Sequence, residues 1–169
     1  MTFSLYVDED RWRTHLSSVV EATPGIVPVI KGNGYGLGNA RLAVEAARLG
    51  VPAVAVGTTD ELPDVREHFD GDVLVMSPSY PRCEDDPSGR VIRTVAHLET
   101  LRAGGGARVV VEGMTTMRRH GLPAGEVASV AELLGDVRLA GLAFHLPMDR
   151  HGGYDPATRC ESRIARRRR

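Results

Sequence analysis

Short β-branched runs alternate with helical periods along most of this chain, and that alternation restricts the fold more than any other feature. GIVPVIK, PAVAVG, DVLVMS, RVIRTVA, ARVVVEG and VRLAGLAFHL read as strands. Between them, NARLAVEAARLG places Leu42, Ala43, Ala46, Ala47 and Leu49 at helical spacing, with Gly50 as a stop. TDELPDVREHF is a weaker helix, opened by a Thr-Asp cap and interrupted by Pro63. A short helix is expected near HLETLRAG, and PAGEVASVAELLG reads as a helix with Pro in its first turn and Gly135 beyond its last. PSYPRCEDDPSGR is a loop by its Pro and Ser content. Strands alternating with helices predict a parallel sheet covered by outer helices. About six strands are legible where a closed barrel needs eight. The pattern therefore fits an open doubly wound sheet or an incomplete (β/α)8 TIM-type barrel. It stops after PMDRHGGYDP, which suggests a barrel portion over 1–149 and a basic irregular tail over 150–169.

The chain has 169 residues, 42% of them hydrophobic, enough for one ordinary domain with its own core. Its formal net charge of -1 argues against a generic nucleic-acid binder. Cys83 and Cys160 form no close pair, so neither a disulfide framework nor a CxxC metal site is expected. No apolar run reaches the length of a membrane span, and the acidic start MTFSLYVDEDRWR does not resemble a signal peptide. These features favour a soluble cytoplasmic protein without metal or membrane.

Of 21 Lys and Arg residues, Lys31 is the single lysine, and it ends an apolar strand just before GNGYGLG. The glycines at 32, 34, 36 and 38 fit neither the dinucleotide fingerprint nor a P-loop, whose lysine follows its last glycine. In parallel α/β folds active sites gather at the carboxyl ends of strands. Partial burial there is expected to disfavour the ammonium and expose a nucleophilic amine. Such an amine suits Schiff-base chemistry with an aldehyde. The glycines let backbone approach a bound group, and Tyr35 offers a phenol for phosphate oxygens. The plainer reading is a solvated lysine beside a flexible loop. Likewise Arg119 fits a solvated basic turn, and His145 a hydrogen-bonded structural histidine.

PVIKGNGYGLG resembles the cofactor-lysine motif of alanine racemases, with Asn33 and Tyr35 at matching offsets. LGVPAVAVGTTDE is similar to the second strand and following helix of that family. TTMRRHGL matches its Thr-Gly-Met-x-Arg-x-Gly stretch at Met117, Arg119 and Gly121, and GLAFHL resembles its strand-end histidine motif. The resemblance runs from about Leu5 to about Asp149. It implies a pyridoxal 5'-phosphate (PLP) dependent isomerase with an N-terminal (β/α)8 barrel, interconverting L- and D-alanine for cell-wall precursors. On that resemblance Lys31 matches the catalytic lysine that forms the internal aldimine and moves the α proton. Tyr35 matches the phosphate-binding tyrosine, Arg119 the arginine near the phenolic oxygen and substrate carboxylate, and His145 the histidine against the pyridine ring. Glu112, seven residues before Arg119, stands where many relatives carry a carbamylated lysine, and is expected to hold Arg119 by charge.

The family continues through two more barrel strands and a β domain that supplies a tyrosine base across a homodimer interface. No match to these follows Asp149, so the chain is expected to be a truncated form that handles the α proton from one face. Three other readings stay open. One is a same-fold PLP racemase or aldolase acting on another small amino acid such as serine. Another is a degenerate fragment or PLP-binding module without turnover. The last is an interaction protein using its final arginines.

Overall fold

A computed structural model describes residues 4, 6–79, 88–103 and 105–147. The tail over 150–169, both cysteines and most of the PSYPRCEDDPSGR loop lie outside the described residues. The order is α1 (Glu9–Ala22), α2 (Asn39–Arg48), β1 (Ala53–Val56), α3 (Leu62–Arg66), β2 (Asp72–Pro78), β3 (Val91–Val95), α4 (Leu98–Arg102), β4 (Arg108–Gly113), α5 (Ala124–Leu133) and β5 (Arg138–Phe144). The five strands form one sheet in the order β1-β2-β3-β4-β5. Two compact units, 1–73 and 74–169, divide the chain.

In the first unit, β1 is buried through Val54, Ala55 and Val56 because its short apolar run carries no solvent face. The GIVPVIK segment lies parallel to it through a bridge at Val29–Ala55, with Ile30 N donating to Ala55 O at 2.7 Å and Ala55 N to Pro28 O at 2.8 Å. The expectation of a buried strand holds only in part. Ile30 is buried, whereas Val27 and Val29 are exposed, since one bridge is all the pairing this segment makes with β1. Helix α2 buries Ala43 and Ala46, as its period predicts. Pro63 does not end the helix in TDELPDVREHF but falls in the first turn of α3, after a short 3₁₀ turn over Thr59–Glu61, because that turn has no use for its missing N–H.

Helix α1 was not legible from the alternation. Asp8 caps it by accepting from Arg11 N at 3.1 Å. Arg13 joins it to α2 by donating from Nε to both oxygens of Glu45, at 3.0 and 3.1 Å. Glu45 also accepts from Arg48 Nε at 2.7 Å. Two guanidiniums thus hold a carboxylate whose side chain is only 5% exposed.

In the second unit, β3 and β4 run parallel from Ile92–Arg108 to Val95–Val111. Strands β4 and β5 run parallel from Arg108–Arg138 to Gly113–Phe144, with a register shift between Val109 and Val110. The core joins Val95, Leu101, Val109, Val111 and Leu122 to Val127 and Val130 of α5 and to Val137. Buried Thr94 donates from its hydroxyl to Val75 O at 2.7 Å, which satisfies the hydroxyl inside the sheet.

Candidate functional site

Lys31 closes the extended segment beside β1, with φ -147° and ψ 161°. The backbone then reverses its hand. Gly32, Asn33, Gly34 and Tyr35 all take φ of 56–57°, and Gly36 and Gly38 follow at 95° and 94°. A consecutive left-handed run is open to glycine and tolerable for Asn, which accounts for the alternate glycines. Gly34 N donates to Lys31 O at 3.0 Å and Gly38 N to Asn33 O at 3.0 Å, so the turn satisfies its own backbone. Tyr35 pays the strain of a left-handed side-chain-bearing residue and stands fully exposed.

Lys31 is exposed as well. The partial burial argued from the sequence is therefore absent, because the side chain runs alongside Gly57, which has no side chain to cover it. Lys31 Cβ and Cδ lie alongside Gly57, at 3.4 and 3.8 Å from the position a Cβ there would take.

In the second unit, the segment after β4 loops out and returns. Leu122 N donates to Glu112 O at 2.8 Å, and Met114 N donates to Leu122 O at 2.7 Å. The loop so closed carries Thr115 to Gly121. Gly121 has φ 121°, and a Cβ there would lie 2.6 Å from the backbone of Gly113 and Met114. Gly113 lets the Phe144 ring lie across the end of β4, since a Cβ would meet it at 2.4 Å. Thr115 Oγ1 donates to His145 O at 2.6 Å, fixing the residue that follows β5.

This arrangement brings Arg119 and His145 together, with Arg119 Nη1 and His145 Nδ1 at 3.5 Å and both side chains exposed. A guanidinium has only donors, so Nδ1 takes the accepting side of this contact. Glu112 does not hold Arg119. Its side chain sits on buried β4, and no ion pair or hydrogen bond joins the two among the described residues, because the loop swings Arg119 toward the end of β5. The sequence-predicted residues thus form two pairs, Lys31 with Tyr35 on one turn and Arg119 with His145 across a loop and a strand end. Sequence reasoning missed Glu61, whose carboxylate accepts from the N–H groups of Gly32, Gly57 and Thr58. Its only sequence signal is its third place after Thr58, the spacing of a capping box.

Parallel strands with chemistry-bearing side chains just past their carboxyl ends define the (β/α) barrel and related α/β domains. Residues 7–164 match the family described as alanine racemase, N-terminal domain, and the chain belongs to that family. Solved structures agree in fold. Alanine racemase from Bartonella henselae with covalently bound pyridoxal phosphate superposes with a TM-score of 0.77 at 15% identity, over 95% of this chain and 49% of that one. Alanine racemase of Clostridium difficile 630 gives 0.70 at 23% identity, over 92% and 44%. The enzyme from E. faecalis gives 0.70 at 21%, over 83% and 43%. At these identities the likeness establishes the fold. The chain spans less than half the length of each of these structures. A search of curated proteins returns no match.

Proposed function

We propose that this chain carries the cofactor-binding portion of a PLP-dependent amino-acid racemase, with alanine as its substrate. The observation that carries the reading is the placement of the single lysine: an exposed amine at a strand's carboxyl end, beside a left-handed glycine turn, in a chain of this family. The donor set fits PLP. Lys31 offers a primary amine for its aldehyde, and the Tyr35 phenol is free in solvent to donate to a phosphate oxygen. A Cβ at Gly32, Gly36 or Gly38 would meet nothing within 4 Å, so the turn has open space on its surface. In the second unit, His145 presents a flat ring of the kind that stacks on a pyridine, and Arg119 beside it has donors for an anionic oxygen.

When bound, PLP draws electron density from the substrate's α carbon and makes its proton labile. With it bound, Lys31 would take and return that proton at Cα, Tyr35 would orient the phosphate, and Arg119 would neutralise developing negative charge. D-Alanine supply to cell-wall precursors, a cytoplasmic setting and homodimeric assembly belong to the same reading. The test is α-proton exchange of L-alanine in D2O with added PLP, followed by NMR, with L-serine as a competing substrate. The reading expects exchange that prefers alanine and disappears in Lys31→Ala. Exchange that survives the substitution contradicts it.

A further inference from the structure

We propose that Glu61 is a positioning residue for Lys31: its carboxylate ties the peptide that follows the lysine to the end of β1. The role as a positioning residue rests on the cofactor reading above, whereas the tie itself does not. Backbone pairing between the Lys31 segment and β1 ends at Ile30, whose N–H reaches Ala55 O. The next donor on that segment is Gly32 N, where the left-handed turn begins at φ 56°. Glu61 Oε1 accepts from Gly32 N at 2.6 Å. Its Oε2 accepts from Gly57 N at 2.6 Å and Thr58 N at 3.2 Å, the first donors past β1. One side chain thus replaces the ladder where the ladder fails.

A capping box explains only the bond to Thr58. The two shorter bonds lie outside it, and one crosses 29 residues of sequence to the neighbour of Lys31. The carboxylate is consumed by three N–H groups, and no ion pair joins it to the amine among the described residues. Lys31 therefore keeps its amine for a ligand while its backbone is fixed on both sides. A glutamine cannot substitute, since its amide nitrogen would face N–H donors on one side.

The test uses the full chain with PLP itself as probe. The rate at which borohydride fixes PLP on Lys31 is followed by mass spectrometry in Glu61→Gln, Glu61→Asp and Asp60→Asn. Asp60→Asn removes the same charge from the same turn. Loss of a charge-assisted bond predicts trapping about tenfold slower in Glu61→Gln, and no change in Asp60→Asn. Glu61→Asp, one methylene too short to span both sides, is expected to slow trapping while keeping the charge, and it decides the matter if Glu61→Gln does not fold. The Gly32 and Gly57 amide protons should move upfield and exchange faster in Glu61→Gln, a change that no general loss of activity produces. Wild-type trapping in both Glu61 variants, or equal slowing in Asp60→Asn, overturns the positioning role. If wild type itself fixes no PLP on Lys31, the cofactor reading fails and the positioning role with it, while the amide signals separately report whether the tie exists.

Discussion

Replacing Gly121 by Ala adds one methyl group at the base of the Arg119 loop, and the structure sets what that methyl must cost. The residue sits at φ 121°, outside the left-handed basin that L side chains tolerate, which costs about 1–3 kcal/mol. The new Cβ also lies 2.6 Å from Gly113 C and Met114 N. These are backbone atoms, so no rotamer change relieves the clash, and overpacking adds about 1–3 kcal/mol. The chain has one escape, which is to lift the loop off β4. That route forfeits the Leu122 N to Glu112 O and Met114 N to Leu122 O bonds, about 1–3 kcal/mol together, and the burial of Leu122, about 2 kcal/mol. The molecule takes the cheaper route, so the expected loss is about 2–5 kcal/mol. Gly125→Ala is the matched control. It lies in α5 with nothing within 4 Å of its Cβ, and the same substitution there should stabilise by about 0.5–1 kcal/mol. Urea unfolding of both variants at neutral pH reads the difference in sign. If Gly121→Ala falls within about 0.5 kcal/mol of wild type, the range of ordinary surface substitutions, the described loop closure is wrong.

The left-handed turn gives a second matched pair. Gly32→Ala and Gly34→Ala share the same φ, but only at position 34 does a Cβ collide, 2.3 Å from Leu42 Cδ1, so Gly34→Ala should lose about 1 kcal/mol more in the same urea assay. Glu45 predicts an acid dependence. The hydrogen bond from Arg13, aided by one from Arg48, holds its carboxyl down from 4.5 to about 2 against the opposing effect of burial. A lowered value means stability that is complete above about pH 4.5 and lost as pH falls toward 2. The full shift would be worth about 3 kcal/mol, and screening at the part-exposed arginines reduces the expected loss to about 1–2 kcal/mol. Denaturant midpoints against pH should show this loss in wild type and not in Glu45→Gln; parallel profiles would remove the Arg13–Glu45 link as a stabilising contact.

Strand and helix order from NARLAVEAARLG to VRLAGLAFHL was legible because short β-branched runs and helical periods have different wavelengths. Helix α1 was not, although Trp12, Leu16, Val19 and Val20 recur at helical spacing and line one cavity with residues of α2. Its polar face is dense with charge and it buries no residue fully, so the period is weak beside the stronger elements. Lys31 and His145 were legible at strand ends, Arg119 and the cofactor roles only through the family resemblance, and the glycines at 32 and 34 as backbone freedom. The exposure of Lys31 was not, because the residue its side chain runs alongside, Gly57, is distant in sequence and offers no side chain to cover it. Glu61 escaped notice because its partners are N–H groups 29 and 4 residues away, which carry no sequence identity of their own. Glu112 misled through spacing alone: seven residues separate it from Arg119, and the intervening loop turns the arginine elsewhere.

Mixing the chain with PLP, reducing with borohydride and mapping the added mass by peptide reads out whether Lys31 takes the cofactor. A cofactor-derived mass confined to Lys31, and absent from Lys31→Ala, is the predicted result. Labelling on the N-terminal amine alone, or on no site of the folded protein, would contradict it.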